Sequence, residues 1–488
     1  MTWLLVAACV LASVPSGLRW LRVAQREHYI PGEVTRFAWR WWRTDPANIV
    51  VGGAALLGAV LSVFDYRYGL LVPLVYVVGP IGFSIKGVTS PLAWTPRLRR
   101  VAIVSGLILG VLYVAGGVLD LPLLVVAPLY AISLVVDGAL WVLGPYERRQ
   151  GNEWVDKATA KLQSVAPCVV AITGSFGKTT TKDYVAHLLS GSRRVVASPA
   201  SFNNRMGLAR AINENLVQGT EVFVAEMGTY GYGEIAELCQ WIPPRVAAMV
   251  AIGPVHLERF GSREHIARAK SEILDRAEVG VICVDYPELA VIAEERRPMM
   301  RIIEVSATDG VVVDGREITD VPEGVFGANL AVALGICHAL GVDPASVLDR
   351  VGSLPTAEHR QSVMMAGSGF TIIDDTFNSN PEGARSALAR LDREANGGTT
   401  AVITPGMVEL GKLQDEENQS FAAAASSQVD HLVIVGRTNR RALQIGSVKG
   451  RASVTVVDTR DEAVAWVKEN LGPGDVVLYE NDLPDHYP

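Results

Sequence analysis

Charge and cysteine are both scarce in this sequence. Only 19% of the 488 residues are Asp, Glu, Lys or Arg, 49% are hydrophobic and the mean hydropathy is +0.25, which excludes a disordered chain or a coiled coil. The five cysteines (Cys9, Cys168, Cys239, Cys283 and Cys337) form no CxxC pair and no Cys/His cluster at zinc spacing. Neither a disulfide framework nor a structural zinc site is therefore indicated, and thiols that stay reduced fit the cytosol. Internal repeats and low-complexity tracts are absent. So is a concentrated basic stripe in the last two-thirds, which argues against nucleic acid as a partner. A chain of this length divides into about three domains.

The apolar excess lies at the front. Up to Leu143 there are 11 basic and 6 acidic residues, a net charge of +5; with the whole chain at −7, the remainder carries −12. Apolar stretches fall at about Trp3 to Leu18, Ile49 to Phe64, Gly69 to Ile85, Val101 to Leu119 and Leu121 to Leu143, and they read as about five transmembrane helices in a membrane domain over 1–150. No basic residue precedes the first stretch, whereas Arg19 and Arg22 follow it, the flank pattern of an anchor rather than of a signal peptide. Basic residues cluster at Arg19 to Arg43, Lys86 to Arg100 and Arg148 to Lys157, while the intervening turns carry only Arg67. By the positive-inside rule this alternation reads as a multi-pass membrane protein with its N-terminus outside and everything after about Gly144 in the cytosol. The tryptophans Trp3, Trp20, Trp39, Trp41, Trp42, Trp94 and Trp141 fall near the ends of these spans, as an interfacial belt would place them. Two features allow more than anchoring. The basic, aromatic segment from Arg19 to Arg43 is compatible with an anionic lipid head group or with an ordinary cytoplasmic loop. Asp137, in the last span, is either a functional group or a snorkelling or capping residue near the cytoplasmic end.

From Val169 the pattern changes to short β-branched runs alternating with amphipathic helices, the signature of parallel βαβ units. Strands are expected at Val169 to Ile172, Arg194 to Ala197, Val222 to Ala225, Ala247 to Ile252, Val279 to Val284 and Ile302 to Val305, with a helix over Asn329 to Ala339. A second block has strands at Gly369 to Asp374, Thr400 to Thr404, Leu432 to Val435, Val454 to Val457 and Val476 to Tyr479, and a helix near Pro381 to Leu391. The break at Gly341 to Arg360 separates an α/β domain over 151–355 from a second, Rossmann-like one over 356–488.

The run Ala171-Ile172-Thr173-Gly174-Ser175-Phe176-Gly177-Lys178-Thr179-Thr180-Thr181 follows an expected strand and opens a helix. Glycines admit phosphate oxygens to the backbone, a helix N-terminus favours their charge, Lys178 reaches the terminal phosphates and the Thr179 hydroxyl suits Mg²⁺. The loop is shorter than the usual GxxxxGK[ST], since Ile172 stands in place of the first glycine. Glu226 at a strand end and His256 after the next strand offer an oxygen and an imidazole for one or two Mg²⁺ ions.

This shortened loop resembles that of the Mur ligases, the ATP-dependent amino-acid and peptide ligases of peptidoglycan synthesis. Ser201-Phe202-Asn203-Asn204 with Gly207 is similar to the NFNNxxG segment of the D-alanyl-D-alanine-adding members. Val224 to Gly228 resembles their LEMG, Gly253 to Glu258 their GPAHLE, Ile266 to Glu272 their IAxAKxE helix, Asp374 to Pro381 their DDSYNANP and Met407 to Gly411 their MLELG. The resemblance runs from about Val169 to Gly436 and implies a P-loop central domain, a C-terminal Rossmann-like domain and ATP-dependent amide-bond formation through an acyl phosphate. It further implies a nucleotide site of Gly174, Ser175, Gly177, Lys178, Thr179, Thr180, Asn329, Arg360 and Asp375. The implied metal ligands are Thr179, Glu226, His256 and Lys270, with Lys270 carbamylated by CO₂, and the catalytic group is Lys178, His256, Lys270 and Arg360. Plainer readings stay open: a helix-capping Glu226, a core His256, a solvated ion-pair face for Lys270 with Arg268, and a simple turn at Asp374 and Asp375.

Several positions depart from the family pattern. The membrane region stands where the UDP-binding domain would be, Val325 and Phe326 replace a histidine-asparagine pair, and Pro405-Gly406 precedes Met407 where an aspartate is expected. The chain ends in Glu480 to Pro488 in place of a lysine-glycine-serine element. The expected function is a membrane-embedded ligase of cell-envelope precursors. Its partners would be the lipid bilayer, a lipid-linked or UDP-linked carboxylate acceptor, and an amino acid or dipeptide. The alternatives are a ligase elongating a glutamate-type polymer, and a membrane transporter or sensor driven by the ATPase.

Overall fold

The computed structural model describes the chain apart from residues 1, 88–90, 200–201, 256, 323–324, 356–361, 368, 377–378, 484–485 and 488. The chain forms two compact units. One comprises residues 1–150 with 436–440 and 482–488; the other comprises 151–435 with 441–481.

The first unit is helical. Thr2–Arg26 and Pro96–Val118 are long and apolar enough to cross a membrane, and two bent pairs, Glu33–Thr44 with Pro46–Leu61 and Pro122–Tyr130 with Ile132–Val165, raise the number to four if each is one span. Among the described residues, the five stretches read from the sequence thus meet at most four spans by length. The stretch at Gly69 to Ile85 accounts for the difference, because its helix is only Leu71–Val78 and stops at Gly79-Pro80, where proline cannot continue it. A helix that ends inside an apolar unit leaves its last carbonyls open. Arg19, in the long first helix and only 6% exposed, closes them: its guanidinium donates to the carbonyls of Val77 and Val78 at 3.1 Å and of Phe83 at 3.0 Å. Arg22 is likewise buried and donates to the Ser84 carbonyl. These two arginines are therefore structural, and the lipid head-group reading of the segment loses them.

Asp137 is a cap. Its carboxylate accepts from the N–H groups of Gly32 and Thr35, both at 2.8 Å, and from the Thr35 hydroxyl, so it satisfies the open N-terminus of the helix Glu33–Thr44. Asp137→Ala should lower stability by about 0.5–2 kcal/mol. The check is the midpoint of denaturation in detergent, and an unchanged midpoint would contradict the assignment. The C-terminal segment packs into the same unit: the Trp41 indole donates to the His486 carbonyl at 2.8 Å, and Tyr487 meets the Phe37 ring edge to face. Elsewhere the unit presents apolar side chains outward, among them Leu11, Val50, Leu74, Val111 and Trp141.

The second unit holds two sheets. The first contains β1 (Cys168–Thr173), β2 (Val195–Ala197), β3 (Val222–Glu226), β4 (Val246–Met249), β5 (Val279–Cys283), β6 (Arg301–Ser306), β7 (Val311–Val313) and β8 (Arg316–Thr319), in the order β2-β3-β1-β4-β5-β6-β7-β8. β1 to β6 pair in parallel and the β7–β8 hairpin closes the edge antiparallel. β3 and β4 are buried throughout and, apart from Glu226 at the end of β3, read as continuous apolar runs, as strands covered on both faces do. The second sheet contains β9 (Ser362–Met365), β10 (Thr371–Asp375), β11 (Thr400–Thr404), β12 (His431–Val435), β13 (Ser453–Val457) and β14 (Val476–Glu480), in the order β13-β12-β11-β14-β10-β9 with only β9 antiparallel. Parallel sheets of this kind bind ligands at the carboxyl ends of their strands, and the sequence motifs fall there.

Candidate active site

β1 lies between β3 and β4, so the turn that follows it emerges at the centre of the first sheet and leads into the helix Lys178–Leu189. Gly177 is obligatory in this turn. Its φ is +78°, and an added Cβ would stand 2.3 Å from Oδ1 of Asn329, which places Asn329 directly against the loop. The ammonium of Lys178 donates to the loop carbonyls of Gly174 at 2.9 Å and Ser175 at 3.3 Å. The Ser175 hydroxyl donates to the Gly253 carbonyl, and Thr180 is buried in the first turn of the helix.

Glu226, at the end of β3, is 1% exposed. Its carboxylate is fixed on both sides, by the Thr179 hydroxyl at 2.8 Å and by the Asn203 amide at 3.0 Å. A threonine hydroxyl beside a single carboxylate at a phosphate loop is the donor set that Mg²⁺ takes when it keeps waters and phosphate oxygens as its remaining ligands. The described residues contain no group of three or more His, Cys, Asp and Glu side chains able to hold a metal.

Lys270 lies in the helix Arg263–Ser271 and is 3% exposed. Burial, together with the like charge of Lys178, holds its ammonium pKa well below the usual lysine range, and Glu226 opposes the shift only in part. Lys178, Glu226 and Lys270 therefore form one electrostatic cluster. The plain ion-pair reading applies instead to Arg268, which is exposed and makes a bidentate pair with Glu295 at 2.6 and 2.8 Å. Asp375 lies at the end of β10 in the second sheet, largely buried. His256 and Arg360 lie outside the described residues.

A cavity of about 640 Å³ opens beside the loop, lined by Asp285, Tyr286, Thr308, Gly327, Ala328 and Glu382 among others. The Asp285 carboxylate accepts from the Ala307 N–H and the Thr308 hydroxyl and so shapes one wall. Tyr286 meets Phe176 of the phosphate loop edge to face and donates to Glu382 at 3.2 Å, linking the sides of the two sheets. Burial raises the Glu382 carboxyl above its ordinary value. A second link joins the Glu258 N–H to the Glu409 carbonyl at 3.3 Å. Neither Tyr286 nor Asn203 was assigned a role from sequence. Asn203 lay within a recognised motif, whereas Tyr286 had only its position after β5 to mark it.

A phosphate loop at the centre of a parallel sheet, a buried lysine of depressed pKa beside it and a second Rossmann-like sheet define an ATP-dependent ligase. The chain belongs to the Mur ligase family: residues 172–332 match the Mur ligase middle domain, and 359–479 match the Mur ligase glutamate ligase domain. It is 32% identical over 375 residues to the UDP-N-acetylmuramoyl-tripeptide--D-alanyl-D-alanine ligase of Mycobacterium leprae, covering 65% of this chain and 72% of that one. Among solved structures it is similar to MurF from Acinetobacter baumannii, with 25% identity and a TM-score of 0.58 over 68% of this chain and 77% of that one. It is also similar to the MurF ligase from Thermotoga maritima in complex with ADP, with 26% identity and a TM-score of 0.57 over 68% and 80%.

Proposed function

We propose that this protein is a membrane-embedded ligase that joins a carboxylate of a cell-envelope precursor to the amine of an amino acid or dipeptide at the expense of ATP. The observation that carries the reading is the cluster at the phosphate loop of the half-buried Lys178 with the buried Glu226 and Lys270. A protein that only switches on nucleotide has no use for a second, fully enclosed lysine there. The named relatives act on a UDP-linked muramoyl tripeptide and D-alanyl-D-alanine, which makes the dipeptide the first amine to test.

The acceptor carboxylate oxygen attacks the γ-phosphorus of ATP, ADP departs and an acyl phosphate forms; the amine nitrogen then attacks the acyl carbon, phosphate leaves and the nitrogen loses a proton. Lys178 would turn from its own loop carbonyls to the phosphate oxygens, and Asn329 would support the loop from below. Thr179 and Glu226 would hold Mg²⁺, which neutralises phosphate charge when bound. Lys270, whose buried ammonium gives up its proton more readily than an ordinary lysine, would add CO₂ as the free amine: the N–C bond forms, the nitrogen loses a proton, and a neutral amine becomes an anionic carbamate facing the same site. Arg360 and Asp375 would complete the nucleotide site from the last domain, so closure of the two sheets would accompany turnover.

Outward-facing apolar side chains over much of the helical unit support a bilayer setting, since a water-exposed surface of this kind is unusual. The short helix Leu71–Val78, its open carbonyls met by Arg19, would supply a further crossing, because irregular backbone is tolerated at membrane depth where protein covers it. Five crossings place the N-terminus outside and the ligase domains in the cytosol. A reporter fused after Arg149 should be cytosolic and one fused before Trp3 external. A cytosolic N-terminal reporter would contradict five crossings and leave four.

With a helical unit of outward apolar side chains directly before the ligase domains, the acceptor would be lipid-linked. Both partners at one bilayer gain effective concentration. Supplied with ATP, Mg²⁺ and D-alanyl-D-alanine, the full-length protein should amidate a polyprenyl-linked muramoyl peptide far faster than the matching UDP-linked one. Equal rates would sink the lipid-linked reading.

A further inference from the structure

Glu480 ends β14 between β10 and β11 and is 0% exposed. Two hydroxyls approach its carboxylate from opposite sides, Ser379 donating to Oε1 and Thr404 to Oε2. The neighbouring Asn481 extends the link: its N–H donates to the Asp375 carbonyl at 3.1 Å and its side-chain amide to the Gly406 carbonyl at 2.6 Å. The Gly406 N–H donates to the Thr404 hydroxyl at 2.8 Å. One buried carboxylate thus ties together two loops, the one that follows Asp375 and the one that runs from Gly406 to Gly411. Both lead to the first sheet's side of the unit, through Glu382 to Tyr286 and through Glu409 to Glu258. An apolar side chain would fill this space without the cost of burying a carboxylate, so stability alone does not account for an acid here. Burial raises its pKa, and the two hydroxyls oppose the rise.

We propose that Glu480 is a positioning residue for the nucleotide, holding the Asp375 loop and the Glu409 loop at the spacing at which the two sheets close on ATP. The inference rests on the ligase reading above and adds to it a determinant of nucleotide affinity remote from the phosphate loop.

The test is isothermal titration of the full-length protein in detergent with Mg·ATP, paired with thermal melting. Glu480→Gln should raise the Kd for ATP about tenfold while melting within a few degrees of the unmodified protein. Thr404→Val should weaken binding in the same way, and Thr404→Ser, which keeps the hydroxyl, should restore it. A merely structural role would lower the melting temperature of both valine and glutamine variants and leave the affinity of the folded protein unchanged; that result would overturn the proposal. If Glu480→Gln does not fold, the Thr404 pair decides it. Unaltered ATP binding by Thr404→Val in a protein whose Lys178→Ala variant has lost it would overturn the positioning role alone. Failure of the unmodified protein to bind ATP would overturn the nucleotide site itself.

Discussion

Lys178→Ala should lower ATP turnover by about 10²–10³-fold or more, because no described side chain beside the loop can replace a cation aimed at the β- and γ-phosphates. The substitution tests chemistry rather than folding. Lys178 Nζ donates to Gly174 and Ser175 carbonyls within its own turn, and the conformation of that turn is fixed by Gly177 against Asn329. The melting temperature should therefore move by little, and retention of near-normal turnover in a folded variant would remove the ATP site from Lys178.

Lys270→Ala should be almost as damaging, whereas Arg268→Ala, two residues earlier, should be nearly silent. Arg268 is exposed and its pair with Glu295 is a surface salt bridge, worth about 0–1 kcal/mol at most. Lys270 is enclosed, and burial lowers its pKa, which favours the nucleophilic free amine more than in an exposed lysine. Since only the free amine adds CO₂, activity at limiting bicarbonate should rise with pH through the lowered pKa of Lys270 and level off above it. Saturating bicarbonate should flatten the profile, and a small added carboxylic acid should restore part of the activity of Lys270→Ala. Equal small losses at both positions would leave Lys270 as an ordinary helix residue. A ¹³C carbamate signal from labelled bicarbonate, present in the unmodified protein and absent from Lys270→Ala, checks the modification independently of turnover.

Parallel strands with both faces covered are legible in sequence because they must be apolar throughout, and β11 spans the expected Thr400 to Thr404 without change. The β7–β8 hairpin was missed although its signal is present: Val311-Val312-Val313 and Arg316-Glu317-Ile318-Thr319 flank Asp314-Gly315, both with positive φ, the dipeptide that a tight hairpin turn requires. β9 left no such mark, for Ser362 to Met365 is an exposed edge strand without alternation. The site shows the same division. Motif spacing brought Lys178, Thr179, Glu226 and Lys270 to one place because each follows a strand of one sheet or lies in the helix beyond. Arg19, Asn203, Tyr286 and Glu480 act through partners far away in the chain, and composition and period carry no information about those. The depth of Asp137 in the span left a functional, a snorkelling and a capping role open, and the helix it caps was invisible.

The most direct test of amide ligation is to incubate the full-length protein with ATP, Mg²⁺ and cell-envelope precursors, with and without D-alanyl-D-alanine, and to follow phosphate release and product mass together. The account predicts that rapid phosphate release requires both a carboxylate acceptor and the amine, and that one acceptor gains the mass of the dipeptide less one water for each phosphate released. Phosphate release at full rate with neither added, and no acceptor gaining mass, would contradict it.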